Sequence, residues 1–182
     1  MSTNNTPDLE KLRYPVGRFD PKGELPAGAR ASAIESIAGT PDRLRKSIAG
    51  LTDEQLETPY RDGGWTVRQV IHHVPDSHVN AYIRFKLALT EDTPTIKTYD
   101  EAAWAKLEDS RSTPIDSSLA MLDSIHTRWD ILLRSMSDAD FARRLNHTEW
   151  GNVDLSFMVR MYEWHGRHHA AHITGLRHRM GW

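Results

Sequence analysis

MVRMYEWHGRHHAAHITGL, residues 158–176, places four histidines (His165, His168, His169 and His172) inside a run of apolar residues with helical spacing. Met158, Tyr162, His165, His169 and Leu176 recur at three- and four-residue steps or their sum, so on a helix they form one stripe that faces a core. At about 100° per residue, His169 falls near the middle of that stripe, His165 and His172 flank it, and His168 lies at its edge. Imidazoles four residues apart on one helix face can converge on a single metal ion, as the paired histidines of HExxH helices do. His165 and His169 are the best-placed pair. Buried histidines can also be held by hydrogen bonds alone, so a metal reading needs a third ligand from another part of the chain.

Composition narrows what such a helix can belong to. A chain of 182 residues is long enough for one full hydrophobic core. Its 23 Lys and Arg against 25 Asp and Glu leave a formal charge of −2, which argues against nucleic acid or an acidic membrane surface as partner. The absence of cysteine excludes disulfides, thiolate ligands and a cysteine nucleophile, leaving histidine and carboxylate as metal ligands. The first seventeen residues, MSTNNTPDLEKLRYPVG, contain no apolar targeting segment, and no run approaches the roughly 20 apolar residues of a membrane span. A cytoplasmic location is the expectation.

Working back from the histidine helix, residues 1–26 are rich in Pro and Gly and predict an extended arm without regular helix, pinned by Tyr14, Val16 and Phe19. Residues 27–182 predict a single domain. Ile34, Ile37, Leu44, Ile48 and Leu51 share a helical face interrupted at Gly39 and Pro41, which predicts two helical pieces joined there. Thr52 with Gln55 forms a capping box, and so does Thr66 with Gln69, the latter following the turn YRDGGW and opening a helix from Val67 to about Leu89. That helix carries His72, His73 and His78, and Pro75 predicts a kink beside them. Its periodicity puts His78 nearest the centre of the apolar face, with His73 and His72 to either side, and does not choose among the three. Further helices are expected from Ile115 to Met136 and after the caps Ser137 and Asp154, with Leu145–Val153 as a polar loop. Four long helical segments without a convincing strand predict an all-α, antiparallel four-helix bundle with short extra helices and the N-terminal arm.

The segments RYPVGRF, TPYRDGGWTVRQVIHHVPDSHVNAYIRFKLALTED and YEWHGRHHAAHI resemble the DinB/YfiT superfamily, specifically its YfiT branch of metal-dependent hydrolases, which includes bacillithiol transferases. The likeness runs from Arg13 to Trp182. It implies a four-helix bundle and a homodimer, with a divalent metal, zinc or nickel, on three histidines. Carried onto this chain those ligands are His73, His165 and His169. The last two coincide with the pair chosen from periodicity, whereas His73 rests on the resemblance. Pro75 departs from the small residue usual in the family at that position.

Three neutral imidazoles on a divalent ion leave a position open, the mark of a catalytic site acting on a small-molecule substrate. Such an ion can activate water for hydrolysis. The glutamate that follows the first histidine in HExxH helices is replaced here by Gly166, Glu163 points away from the pair, and Asp62, Asp76 or Glu149 would reach the site only through folding. The catalytic groups beyond the metal are therefore unassigned. Two alternatives stand beside the hydrolase. One is transfer of a low-molecular-weight thiol cosubstrate that ionises on the metal; the other is a non-catalytic metal-binding bundle closed by a fourth ligand such as His172 or Asp76.

Overall fold

The computed structural model describes residues 8–182. In chain order the elements are α1 Leu9–Arg13, α2 Arg30–Ala38, α3 Thr40–Ile48, α4 Asp53–Leu56, α5 Val67–Thr90, β1 Thr95–Ile96, α6 Glu101–Trp104, α7 Asp109–Ser112, α8 Ile115–Ser135, α9 Asp138–Phe141, β2 Arg144–His147, β3 Gly151–Asp154 and α10 Leu155–Met180. The bundle consists of α5, α8, α10 and the broken pair α2/α3, which packs against both α8 and α10. Pro41 lies in the first turn of α3, where its missing N–H costs nothing, so Gly39 and Pro41 divide one bundle rod into two. Thr66 and Gln69 form the reciprocal capping box that starts α5, and Asp154 accepts from the Phe157 N–H to start α10. Helix α5 continues through Pro75 from Val67 to Thr90, so the proline, expected to kink the helix beside the histidines, does not end it.

Two expectations fail. The arm is not wholly extended: between Pro7 and Pro15 no proline or glycine intervenes, and Asp8 caps the short α1 by accepting from the Glu10 N–H. The part of the expected arm at residues 1–7 lies outside the described residues. Leu145–Val153 is not a polar loop but most of a hairpin, with Leu145 paired to Val153 and both side chains buried, and β1 adds in parallel to β2. Strands of four residues are too short to show an alternation by sequence alone. The Nδ1 of His147 accepts the Glu149 and Trp150 N–H groups and so fixes the connection between the two strands.

The core is split in two. One apolar cluster gathers Phe85, Trp129, Leu133, Met158 and Tyr162. The other gathers Val70, Ile71, Leu122, Ile173 and Leu176. Along the long helices His78 on α5, His126 on α8 and His165 to His172 on α10 fall between these sets, while His72 and His73 stand beside Ile71 and Val74 at the edge of the second. A polar layer thus crosses the bundle between two dry ones. The arm closes over α10 through hydrogen bonds from Trp164 Nε1 to the Gly17 carbonyl (2.9 Å) and from Arg160 to that of Asp20 (3.0 Å).

Close approach of α3 to α10 explains Gly166. A Cβ there would sit 2.6 Å from Thr40 Oγ1 and 3.0 Å from its Cγ2, and Thr40 is buried. There is no room for the glutamate of an HExxH helix. Gly166→Ala should lower stability by up to about 2 kcal/mol, because overpacking of about 1–3 kcal/mol is set against the roughly 1 kcal/mol gained in helix propensity. Thr40→Ala in the same chain should recover most of the loss. Thermal denaturation of the two single variants and the double variant checks this; a Gly166→Ala protein more stable than wild type would disprove the contact.

Candidate metal centre

Helix α10 projects His165 and His169 one turn apart, and the first half of α5 brings His73 against them. Their ring centroids are 4.5 Å (His165–His169), 4.7 Å (His73–His169) and 5.3 Å (His73–His165) apart. One nitrogen from each lies within 4.8 Å of the others, and His73 Nε2 is 3.3 Å from His165 Nε2. Two imidazoles on a tetrahedral zinc, with bonds of about 2.0–2.1 Å, place their nitrogens about 3.3 Å apart. Burial pulls His73 down to about 4, and burial with the neighbouring imidazoles pulls His165 and His169 well below the ordinary histidine value. All three are neutral at pH 7, with lone pairs available. His169 Nδ1 is buried without a hydrogen-bond partner among the described residues. The donor set, its spacing and its protonation fit a divalent metal.

The turn Tyr60–Trp65 supplies one wall. Gly63 takes a left-handed φ of +64°, and Gly64 N–H closes the turn on the Arg61 carbonyl (2.9 Å). This sets the Trp65 ring 4.6 Å from His73 and nearly parallel to His169. The three histidines open onto a cavity of about 660 Å³, with Arg13, Arg18 and Arg61 among its basic lining and Glu101 and Glu149 its acidic lining.

Behind His165 lies a chain of imidazoles. Its Nδ1 is 3.0 Å from His78 Nε2, and His78 Nδ1 is 2.7 Å from His126 Nε2. His78 is 0 % exposed and His126 3 %, so water cannot substitute for these bonds. Only one proton order leaves a lone pair on His165 Nε2: His165 Nδ1–H donates to His78, His78 Nδ1–H donates to His126, and His126 carries its proton on Nδ1. That atom makes no hydrogen bond of normal geometry, but the Ile37 carbonyl stands near enough to favour a proton there.

The remaining candidates have other partners, although His168 and His172 also line the cavity. His72 Nδ1 meets the Ser118 hydroxyl at 2.7 Å, on another side of α5. His168 stacks on Trp164 at 4.3 Å. His172 donates from Nε2 to the Arg13 carbonyl and stacks on Tyr60 at 4.0 Å. Asp76 is raised to about 6 by burial and by Asp109, on the side of α5 facing α7, and Glu163 forms a two-bond ion pair with Arg167. Neither His172 nor Asp76 joins the three-histidine cluster. Glu149 does reach the cavity, as does Glu101, which no periodicity singles out because it sits on a helix of four residues. Sequence reading also missed Arg84, although its place among the small residues Ser77, Ala81 and Ala88 on one α5 face was a visible signal.

Comparison with known proteins agrees with the fold. A protein of Bacillus mycoides (strain KBAB4), named "Putative metal-dependent hydrolase", is 52% identical over 174 residues, covering 96% of this chain and 100% of that one. A protein of Bacillus cereus (strain B4264) with the same description matches to the same extent. The solved structure of YfiT from Bacillus subtilis, described as "a probable metal-dependent hydrolase with an unusual four-helix bundle topology", superposes with a TM-score of 0.90 at 46% identity, over 94% of this chain and 99% of that one. The family model of the DinB superfamily matches residues 36–173. On these grounds the chain belongs to the DinB superfamily, among the relatives of YfiT.

Proposed function

We propose that this protein is a metal-dependent hydrolase of a small molecule, with His73, His165 and His169 holding the ion. The observation that carries the reading is the convergence of three neutral imidazoles at the wall of a cavity large enough for a substrate. A divalent ion such as zinc or nickel would supply Lewis-acid activation of water at neutral pH. The chain's own residues do the rest. Trp65 and Tyr60 wall the site on one side, and the imidazole chain through His78 fixes the His165 ring and its tautomer. Glu101, raised by burial and by Glu149, is positioned at the cavity to hold or release a proton.

The test is elemental analysis of tag-free protein, wild type against His73→Ala, followed by a panel of ester, amide and phosphoester substrates with and without added thiol. One metal per chain, lost in the variant, with turnover in the absence of thiol, supports the reading. Turnover only with thiol would replace it by thiol transfer, and a metal-free wild type would remove the site.

His78 is a positioning residue on this reading. His78→Phe, which keeps the volume but not the acceptor for His165, should weaken metal binding about 10–100-fold, the usual effect of losing a hydrogen-bond partner behind a ligand. Competition with a chromophoric chelator measures it, and circular dichroism checks that the fold survives. Unchanged affinity would sever the imidazole chain from the metal site.

A further inference from the structure

Arg84 is a buried charge that, among the described residues, makes no ion pair. Its side chain comes from the middle of α5, it is only 7 % exposed, and among the described residues no carboxylate lies within ion-pair distance of it. Its two hydrogen bonds, to the Tyr162 hydroxyl and to the Lys97 carbonyl, are both 3.3 Å long and both go to neutral oxygens. A guanidinium has five N–H donors, and arginine is almost never buried unless paired, because removing its charge from water is costly. A structural role would be met by a carboxylate in direct contact, whereas the acid whose charge reaches Arg84, Glu101, stands across the chamber and makes no ion pair with it.

What the guanidinium faces is space. It lines a chamber of about 540 Å³ together with Ser77 and Tyr99, whose buried hydroxyl makes no hydrogen bond of normal geometry among the described residues, although Ser77 stands near it. This chamber shares His165, Met161, Trp150, Glu101 and Glu149 with the cavity of the three histidines, so the two adjoin at the metal ligand itself. A molecule in contact with the metal centre can extend one end to Arg84.

We propose that Arg84, with the Tyr99 hydroxyl, forms a subsite for a carboxylate carried by the substrate. The planar guanidinium fork matches a carboxylate with two parallel bonds, which lysine cannot reproduce. The acids at the chamber decide between oxyanions. Asp100 and Glu149 are exposed and line it, and their repulsion acts more strongly on a phosphate dianion than on a monoanion. The subsite therefore takes a carboxylate, and the substrate is an acid whose reacting group lies toward His165. That last step rests on the hydrolase reading; the subsite itself does not.

The experiment uses metal-free, chelator-free protein, so that no anion can bind through an ion. Acetate is titrated at constant ionic strength against chloride while the Arg84 Nε–H resonance and the thermal midpoint are followed. Wild type should show a saturable shift with acetate and none with chloride, Arg84→Gln should weaken acetate binding at least tenfold, and Arg84→Lys should fall between. Without acetate, Arg84→Gln should melt at or above the wild-type temperature, whereas a purely structural arginine would make it melt lower. No saturable shift in wild type, equal binding by Arg84→Gln, or tighter binding of inorganic phosphate than of acetate would overturn the assignment. Metal content measured on the same proteins separates the two claims: a chain that binds acetate through Arg84 but takes up no zinc or nickel would refute the hydrolase and leave the subsite standing.

Discussion

Metal-free protein should lose much of its stability between pH 6.5 and pH 4, a window governed by its histidines more than by its carboxylates, with Asp76, raised to about 6, acting in the opposite direction. Burial pulls both His126 and His172 down to about 4, and both side chains are 3 % exposed. Below the unfolded value of 6.5 the unfolded chain takes up protons that the native protein refuses. Stability then rises with pH across this window and falls on acidification. Each group contributes about 1.4 kcal/mol per pH unit, so these two alone remove about 4 kcal/mol by pH 5. The histidines of the metal centre, His78 and His168 are displaced in the same direction. Against a typical net stability of about 5–15 kcal/mol, this places the acid midpoint above pH 4. Far-UV circular dichroism against pH measures it, and the thermal midpoint should drop by about 8–16 °C between pH 7 and pH 5, taking about 2–4 °C per kcal/mol. A protein that melts at the same temperature at both pH values would mean that the histidine layer is open to water.

The same layer shows what the sequence could and could not reveal. Local chemistry was legible. Thr66 with Gln69, Ser137 with Asp140 and Asp154 cap the helices they were expected to cap, because a cap is set by residues within one turn of each other. The His165–His169 pair was legible for the same reason: a period of 3.6 residues fixes who shares a face. The choice among His72, His73 and His78 was not, since each lies on or near the buried side of α5 and only the partner helices distinguish them. His72 meets Ser118 of α8, His73 meets α10, and His78 lies between His165 and His126.

What stayed hidden depends on distance along the chain. Arg84, Tyr99 and His165 come from three separate stretches of sequence and meet only across the chamber. The hairpin of Leu145 and Val153 was hidden by brevity, and α1 by the prolines on either side of it. Gly166 carried a different lesson: the residue that spoils the resemblance to HExxH helices is required by the approach of Thr40, so packing rather than chemistry decides that position.

Zinc or nickel should raise the thermal midpoint of the wild-type protein by about 5–16 °C, and His169→Ala should abolish that rise. Metal that binds only the native protein stabilises it by about 2.7 kcal/mol at one hundred times the dissociation constant and about 4.1 at one thousand times, which converts at about 2–4 °C per kcal/mol. The binding is specific to the native protein because His73 comes from α5 and the other two ligands from α10, and the unfolded chain separates them by more than ninety residues, as the 92-residue step from His73 to His165 shows. Without metal, His169→Ala should cost less than an ordinary core truncation, since the imidazole it removes already carries a buried nitrogen with no partner. The informative comparison is thus between metal-induced shifts and not between midpoints. His168→Ala, which unstacks Trp164, and His72→Ala, which releases Ser118, should keep the full shift. A shift retained by His169→Ala and lost in His168→Ala would put the ion at the edge of the α10 stripe instead of its centre, and the three-histidine assignment would fall with it.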